Sequence, residues 1–281
     1  MSQITEETFE HALNQFLSSP TIDLKDTAFI DPYGMVGILE IGELLKSKGI
    51  RKTIQLPQSE EVLKYLERMD FFKFANRYFA LEPSKPNICE KYLRSSYTDV
   101  LLEITPIEKS DDIHFIVGKV KDRAHSILAR HLHYDEKAIN GFIVTLSEVC
   151  QNILEHSGSR GFVGIQKYHF QKNINKNVVK IAVMDLGIGF RKSLSERFSI
   201  KDDIEAIEKA LLYGVSRYAD EGRGHGLAAV RRFVNQWNGK LSLRSDTARF
   251  SIIPEWAWGK EKELNLAHFP GSQINILLPE M

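Results

Sequence analysis

The strongest constraint on how this chain can fold is a repeated change of hydrophobic period. Thr21–Leu24, Ala28–Ile30 and Thr53–Leu56 are apolar runs too short to make helices. Around them, Phe9, Ala12, Leu13, Phe16 and Leu17 recur at helical spacing, as do Met35, Ile38, Leu39, Ile41, Leu44 and Leu45. Val62, Leu63, Leu66 and Met69 repeat the pattern. Short strands alternating with helices specify an α/β unit with a βαβ-type sheet. The punctuation agrees. Asp31-Pro32-Tyr33-Gly34 reads as a turn and Gly49 as a helix stop. Ser59 reads as the cap of a helix whose first turn carries Glu60 and Glu61, which suits the helix dipole.

Glu82-Pro83-Ser84-Lys85-Pro86-Asn87 is polar, holds two prolines and reads as a boundary. The expected domains are therefore 1–85, a linker and connecting strand over 86–110, and 111–281. In the last part, Asp99–Ile104 is a strand candidate. A long helix is predicted from Asp111 to about His131, and a second from about Asp135 to Glu155. Phe162–Phe170 and Val178–Met184 read as a hairpin joined by the turn Asn173 to Asn177. Ile204, Ile207, Leu211 and Val215 mark a helix capped by Asp202 or Asp203. Gly226–Trp237 reads as another helix, ended by Gly239. Leu241–Leu243 and Ile274–Leu278 read as strands. Asp246–Phe269, with Trp256 and Trp258, reads as an irregular excursion between them.

Composition excludes several classes. Lys plus Arg and Asp plus Glu number 37 each, so the formal net charge is zero. That argues against coating a nucleic acid and against a polybasic membrane anchor. No apolar run is long enough to span a bilayer, and Met1–Glu7 has no signal-peptide character. Cys89 and Cys150 lie far apart and in no metal spacing, so they read as reduced thiols of a cytoplasmic protein.

Four polar groups carry the chemistry. On the 135–155 helix, Ile139, Phe142, Leu146, Val149 and Ile153 share an apolar face. Glu148 and Asn152, four apart, stack on the opposite side. A carboxylate there can take a proton, and an amide oxygen can ligate Mg²⁺. Alone, the pair also fits a solvated polar face. Next, an apolar strand ends in Asp185-Leu186-Gly187-Ile188-Gly189. The glycines allow positive φ and close approach to a ligand, and the carboxylate can accept from an exocyclic amine; a plain strand-ending turn fits equally. Third, Gly222-Arg223-Gly224-His225-Gly226-Leu227 enters a helix N-terminus, which offers free N–H groups to phosphate. Last, Gly271-Ser272 opens the terminal strand, where the hydroxyl can reach Asp185 across the sheet.

In this order, the four motifs resemble the GHKL ATPase superfamily. It groups histidine kinase catalytic domains, the DNA gyrase B subunit, ninety-kilodalton heat-shock chaperones and mismatch-repair ATPases. The resemblance covers about residues 110–281 and implies a Bergerat-type α/β sandwich. Its sheet would be mixed and mostly antiparallel, with helices on one face and ATP between the helices and a lid. Ser147-Glu148 with Asn152 and His156 is most similar to the anti-sigma-factor serine kinases, whose motif runs Glu-x-x-x-Asn-x-x-x-His. Residues 1–80, through Ile22–Met35, Gly49 and Ser59, resemble the STAS domain of anti-sigma-factor antagonists. There they depart at one place. Pro32 and Tyr33 stand where that family has small hydroxyl residues, one of them the phosphoacceptor. The resemblance therefore implies a docking unit rather than a phosphorylation switch.

It also implies cofactors and roles. Asn152 would ligate Mg²⁺, Asp185 would read adenine with Gly187 and Gly189 shaping that pocket, and Ser272 would support adenine through a water. Gly222, Arg223, Gly224, His225, Gly226 and Leu227 would form the lid hinge over the phosphates. His156 would belong to the same nucleotide site, and Glu148 would orient the nucleophile. The expected protein binds ATP in the cytoplasm, away from membranes and nucleic acid. It would hydrolyse ATP or phosphorylate a STAS-like or regulatory protein partner on Ser/Thr, and a homodimer is one possible assembly. The alternatives are a non-catalytic, nucleotide-gated binding module and a sensor histidine kinase using His125 or His131.

Overall fold

A computed structural model describes residues 2–84, 99–170, 174–215 and 226–281. Asn173 of the expected hairpin turn, Cys89 and most of the expected linker lie outside them. The first part runs β1 (Ser2–Ile4), α1 (Phe9–Ser18), β2 (Thr21–Asp23), β3 (Thr27–Ile30), α2 (Pro32–Ser47), β4 (Thr53–Gln55), α3 (Glu60–Arg68), α4 (Phe71–Ala75) and β5 (Ala80–Glu82). β2, β4 and β5 pair in parallel, as do β1 and β3. The α/β reading of this part holds. The Asp31-Pro32 turn does not. Asp31 caps α2 by accepting from the Gly34 N–H at 2.9 Å, and Pro32 takes the first helical position, where its missing N–H costs nothing. Turn starts and helix caps use the same residues, so the dipeptide alone does not separate them. Gly37 lets α1 approach α2, because a Cβ there would lie 2.2 Å from the Phe9 ring.

The second part runs β6 (Val100–Ile107), α5 (Ser110–Ala124), a π-helical turn (His125–Ala129), α6 (Arg130–Leu132) and α7 (Glu136–Asn152). A second π-helical turn (Ile153–Ser157), β7 (Gly161–Phe170), β8 (Lys176–Asp185), α8 (Gly189–Ser195), α9 (Asp203–Tyr213) and α10 (Gly226–Gln236) follow. β9 (Lys240–Asp246), β10 (Ala248–Ile252), β11 (Lys262–Glu263) and β12 (Phe269–Pro279) complete the chain. Asp202 is the one of the two candidate caps that caps α9, and Asp135 caps α7. Asn238, not Gly239, takes the left-handed conformation after α10. Gly239 is needed for space instead, since a Cβ would lie 2.7 Å from the Leu277 carbonyl oxygen.

Seven strands form one sheet in the order β11-β10-β9-β12-β8-β7-β6, and each pairing is antiparallel rather than mixed. The expected excursion over 246–269 therefore contains two strands. One face of the sheet packs Val163, Ile165, Ile181, Val183, Leu243 and Ile276 against α5, α7, α9 and α10. Alternate residues on the other face, Phe162, Ala182 and Met184, pack with the first part of the chain. That face also carries charge. Lys180 meets Asp31 and Lys240 meets Glu6, each at 2.7 Å and buried, and Arg244 meets Glu10 at 2.6 Å. Among the described residues, no helix is long and apolar enough to cross a membrane.

Candidate functional site

The sheet brings Asp185 and Ser272 together directly. They are register partners on β8 and β12. Asp185 ends β8 at 1 % exposure. The Ser272 hydroxyl donates to Asp185 Oδ2, and the Gly187 N–H donates to Oδ1 at 2.7 Å. Ser272 thus bonds the carboxylate directly. Burial pushes the Asp185 carboxyl up to about 6, against the lowering effect of these donors and of the Ser157 hydroxyl. Of the three glycines around it, Gly187 and Gly271 are packed against backbone and Gly189 against the Asp246 and Ser245 side chains. A Cβ on Gly187 would lie 2.3 Å from Ser157 O, and one on Gly271 would lie 2.1 Å from Asp185 O. Gly189 and Gly271 have φ of +70° and +82°, which larger residues reach only with strain.

Glu148 and Asn152 lie near the C-terminal end of α7, which packs along α10. Burial, helped by the neighbouring Glu155, raises the Glu148 carboxyl above its ordinary range. Gly226 opens α10 against this pair. A Cβ there would lie 2.6 Å from Glu148 Oε2 and 4.0 Å from Asn152 Nδ2. Asn152 Nδ2 is buried and has no hydrogen-bond partner among the described residues. Such a group normally finds a partner, and oxygen and nitrogen of an amide are assigned from their surroundings. An amide left open beside a carboxylate and a helix N-terminus fits a site for a cation held jointly with phosphate oxygens. No group of three or more His, Cys, Asp or Glu side chains among the described residues could hold a metal alone.

The second π-helical turn joins the two clusters. Asn152 precedes it, and Ser157 ends it with a carbonyl that accepts the Ile188 N–H at 3.0 Å. One distorted helix end therefore sets both the Glu148–Asn152 pair and the loop after Asp185. Such π turns recur at functional sites. His156 lies in this turn, but its side chain is outside the described residues, as are Gly222, Arg223, Gly224 and His225. Leu227 packs its side chain in the apolar core, so only its backbone N–H belongs to the start of α10.

Several residues that shape the site carry no motif. Ser245 Oγ accepts from the Phe190 N–H at 3.1 Å and donates to the Gly271 carbonyl at 2.7 Å, tying the two glycine turns together. Gln273 donates to the Pro270 carbonyl at 2.9 Å. Glu40 of α2 is buried, and burial together with Asp185 and Glu43 drives its carboxyl well above the ordinary value. Ser245 left no signal in the sequence: it lies next to last on β9, and only the strand register puts it in one row with Ser272 and Asp185.

Residues 139–270 match the model of the histidine kinase-, DNA gyrase B-, and HSP90-like ATPases. The match takes in most of α7, Asp185 and the Gly187–Gly189 turn, and it ends at Pro270, before Gly271 and Ser272. Among solved structures, the chain is similar to the histidine kinase domain of the blue-light activated histidine kinase from Erythrobacter litoralis EL346. The identity is 13%, over 89% of this chain and 86% of that one. The TM-score is 0.27, so this likeness carries no argument. No curated protein matches the chain.

Proposed function

We propose that this chain is an ATP-binding regulatory protein that transfers the terminal phosphoryl group of ATP. The observation that carries the reading is Asp185, a buried carboxylate held by Ser272 and Gly187 at the mouth of a glycine-lined turn. It lies within the stretch that matches a family of ATPases. In this reading Asp185 accepts from the adenine amine, while Gly187, Gly189 and Gly271 give the base its space. Asn152 would hold Mg²⁺, which would neutralise phosphate charge when bound. The N-terminal N–H groups of α10, from Gly226 and Leu227, are offered to the phosphates. Glu148 orients the attacking hydroxyl and takes its proton, a role that its raised pKa suits. Phosphoryl transfer asks mostly for positioning and charge neutralisation, so this short set suffices.

The acceptor is water or a hydroxyl of a separate protein. The finer reading, a Ser/Thr kinase of a partner-switching system with a STAS-like first part, draws support from one feature of α2. The place corresponding to the phosphoacceptor in the resembled family holds Pro32 and Tyr33, and Tyr33 is 1 % exposed. The first part therefore serves as a docking unit, and the partner supplies the acceptor. Calorimetry with and without Mg²⁺ and a steady-state ATPase assay test the reading. Tight, Mg²⁺-dependent ATP binding with turnover supports it. Binding without turnover, alone and with candidate partners, replaces it by the nucleotide-gated module. Absence of binding refutes it.

A further inference from the structure

The base site is held from behind by a residue that belongs to neither of its motifs. Arg244 on β9 is fully buried, at 0 % exposure. Its guanidinium donates to the carbonyls of Asp246 at 3.2 Å and Phe269 at 3.3 Å, and also to that of Ala267. It donates to the Gln273 Oε1 at 3.1 Å. Gln273 in turn donates to the Pro270 carbonyl at 2.9 Å and to the Asp185 carbonyl at 3.4 Å. These acceptors surround the irregular step between Phe269 and Ser272, where the β12–β9 register shifts. That step is what carries Gly271 and Ser272 to Asp185. Bulges of this kind re-aim side chains beside functional sites.

A buried guanidinium needs a carboxylate. Here the carboxylate comes from the first part of the chain. Glu10 of α1 accepts from Arg244 Nε at 2.6 Å and from Nη2 at 3.3 Å, a two-pronged pair that fixes the fork in one orientation. The aromatic layer follows the same line, since the Phe9 and Phe269 rings pack with centroids 6.0 Å apart. The other buried pairs of this interface have different neighbours. Glu6 meets Lys240 at 2.7 Å and Asn275 at 2.9 Å, and neither of those partners bonds to the Asp185–Ser272 row.

We infer that Glu10 and Arg244 are positioning residues for nucleotide recognition: through Gln273 and the Phe269–Ser272 step, helix α1 holds Ser272 and Asp185 in the geometry that reads the base. The inference rests on the reading of Asp185 as the adenine contact. It makes base selectivity depend on a carboxylate that lies outside the stretch matched to the ATPase family. Glu10→Gln keeps size and removes the charge that orients the fork. Arg244→Lys keeps the charge but cannot span the carbonyls.

The experiment uses the full chain and three ligands: ATP, inosine triphosphate (a carbonyl in place of the 6-amine) and inorganic tripolyphosphate. Glu10→Gln and Arg244→Lys should each weaken ATP roughly tenfold and lower the preference for ATP over inosine triphosphate, with tripolyphosphate binding unchanged. Glu10→Asp should restore part of the preference. Glu6→Gln should lower thermal stability with the preference intact, which separates positioning from a merely structural role. If Glu10→Gln fails to fold, Arg244→Lys decides. Intact affinity and preference in these variants, beside an Asp185→Asn variant that has lost both, overturns the inference alone. Intact affinity and preference in Asp185→Asn overturns the site reading and the inference with it.

Discussion

On the reading proposed for Asp185, nucleotide binding and protein stability respond to pH in opposite directions. Its value is pushed from the ordinary 3.8 to about 6 by burial. The ionised form is the one that accepts from an adenine amine. At about pH 7.5 nearly all molecules carry it, and at about pH 5 only about a tenth do, so the apparent affinity should fall about tenfold, or ~1.4 kcal/mol. Stability moves the other way. A carboxyl with a raised folded-state value binds its proton more tightly folded than unfolded, so folding weakens as pH rises from about 4 to about 6 and strengthens as pH falls. For Asp185 that linkage is worth about 3 kcal/mol. Glu40, also raised by burial, acts with the same sign. Glu7 and Glu103 have values lowered from 4.5 to about 2, so they lose their stabilising share as pH falls from about 4.5 toward 2 and oppose Asp185 only at the acid end, below about pH 5. The assay is adenosine binding by calorimetry across about pH 5 to 8, beside thermal unfolding of the ligand-free protein. Adenosine carries no phosphate, so phosphate titration cannot imitate the effect. Wild type should lose affinity and gain stability toward acid, while Asp185→Asn should bind weakly at every pH. A flat wild-type affinity profile, with binding intact, would refute the reasoning.

Three further outcomes are expected. Glu148→Ala should keep ATP affinity by calorimetry and lose turnover by roughly 10²-fold or more, since it removes the proton acceptor and no phosphate contact. Gly187→Ala places a Cβ 2.3 Å from the Ser157 carbonyl oxygen, so the turn must shift; ATP affinity should fall with most of the fold intact by circular dichroism. Asp31→Asn keeps an N-cap for α2 but leaves Lys180 buried without its 2.7 Å partner; a loss of about 3–5 kcal/mol by denaturant unfolding is expected.

What was legible in the sequence followed from periodicity and from residues that do only one job. The apolar stripe of α7 placed Glu148 and Asn152 on its other side, and a strand running into Asp-x-Gly-x-Gly placed Asp185 at a sheet end. What escaped had the opposite character. β10 does alternate apolar and polar residues over Ala248–Ile252, but the pattern lasts only five residues before Pro254 and the Trp256–Trp258 stretch, and its polar members Arg249 and Ser251 are buried as well. Lys180, Lys240 and Arg244 look solvated in a sequence, yet each is buried because an acid from the first part of the chain meets it. Pairing of residues more than a hundred positions apart leaves no local trace. Ser245 and Gln273 were invisible for the same reason: their roles come from cross-strand register, not from spacing along the chain.

That hidden face explains how a chain of zero net charge is organised. The first part contributes Glu6, Glu10 and Asp31, and the sheet contributes Lys240, Arg244 and Lys180, so the balance of charge is partly a matched interface. Burying such pairs adds little net stability compared with apolar packing, because each charge loses its water. What they enforce is register, since a shifted arrangement would leave several charges unpaired. Apolar contacts from Phe162, Ala182, Met184 and Phe269 supply adhesion on the same face. The division of labour places α1 and α2 at one fixed position behind β8, β9 and β12. Those strands end in Asp185, Ser245 with Asp246, and begin near Ser272. On the reading proposed for Asp185 and Ser272, a partner that pulled on the first part would act on the row that reads the base without touching the nucleotide.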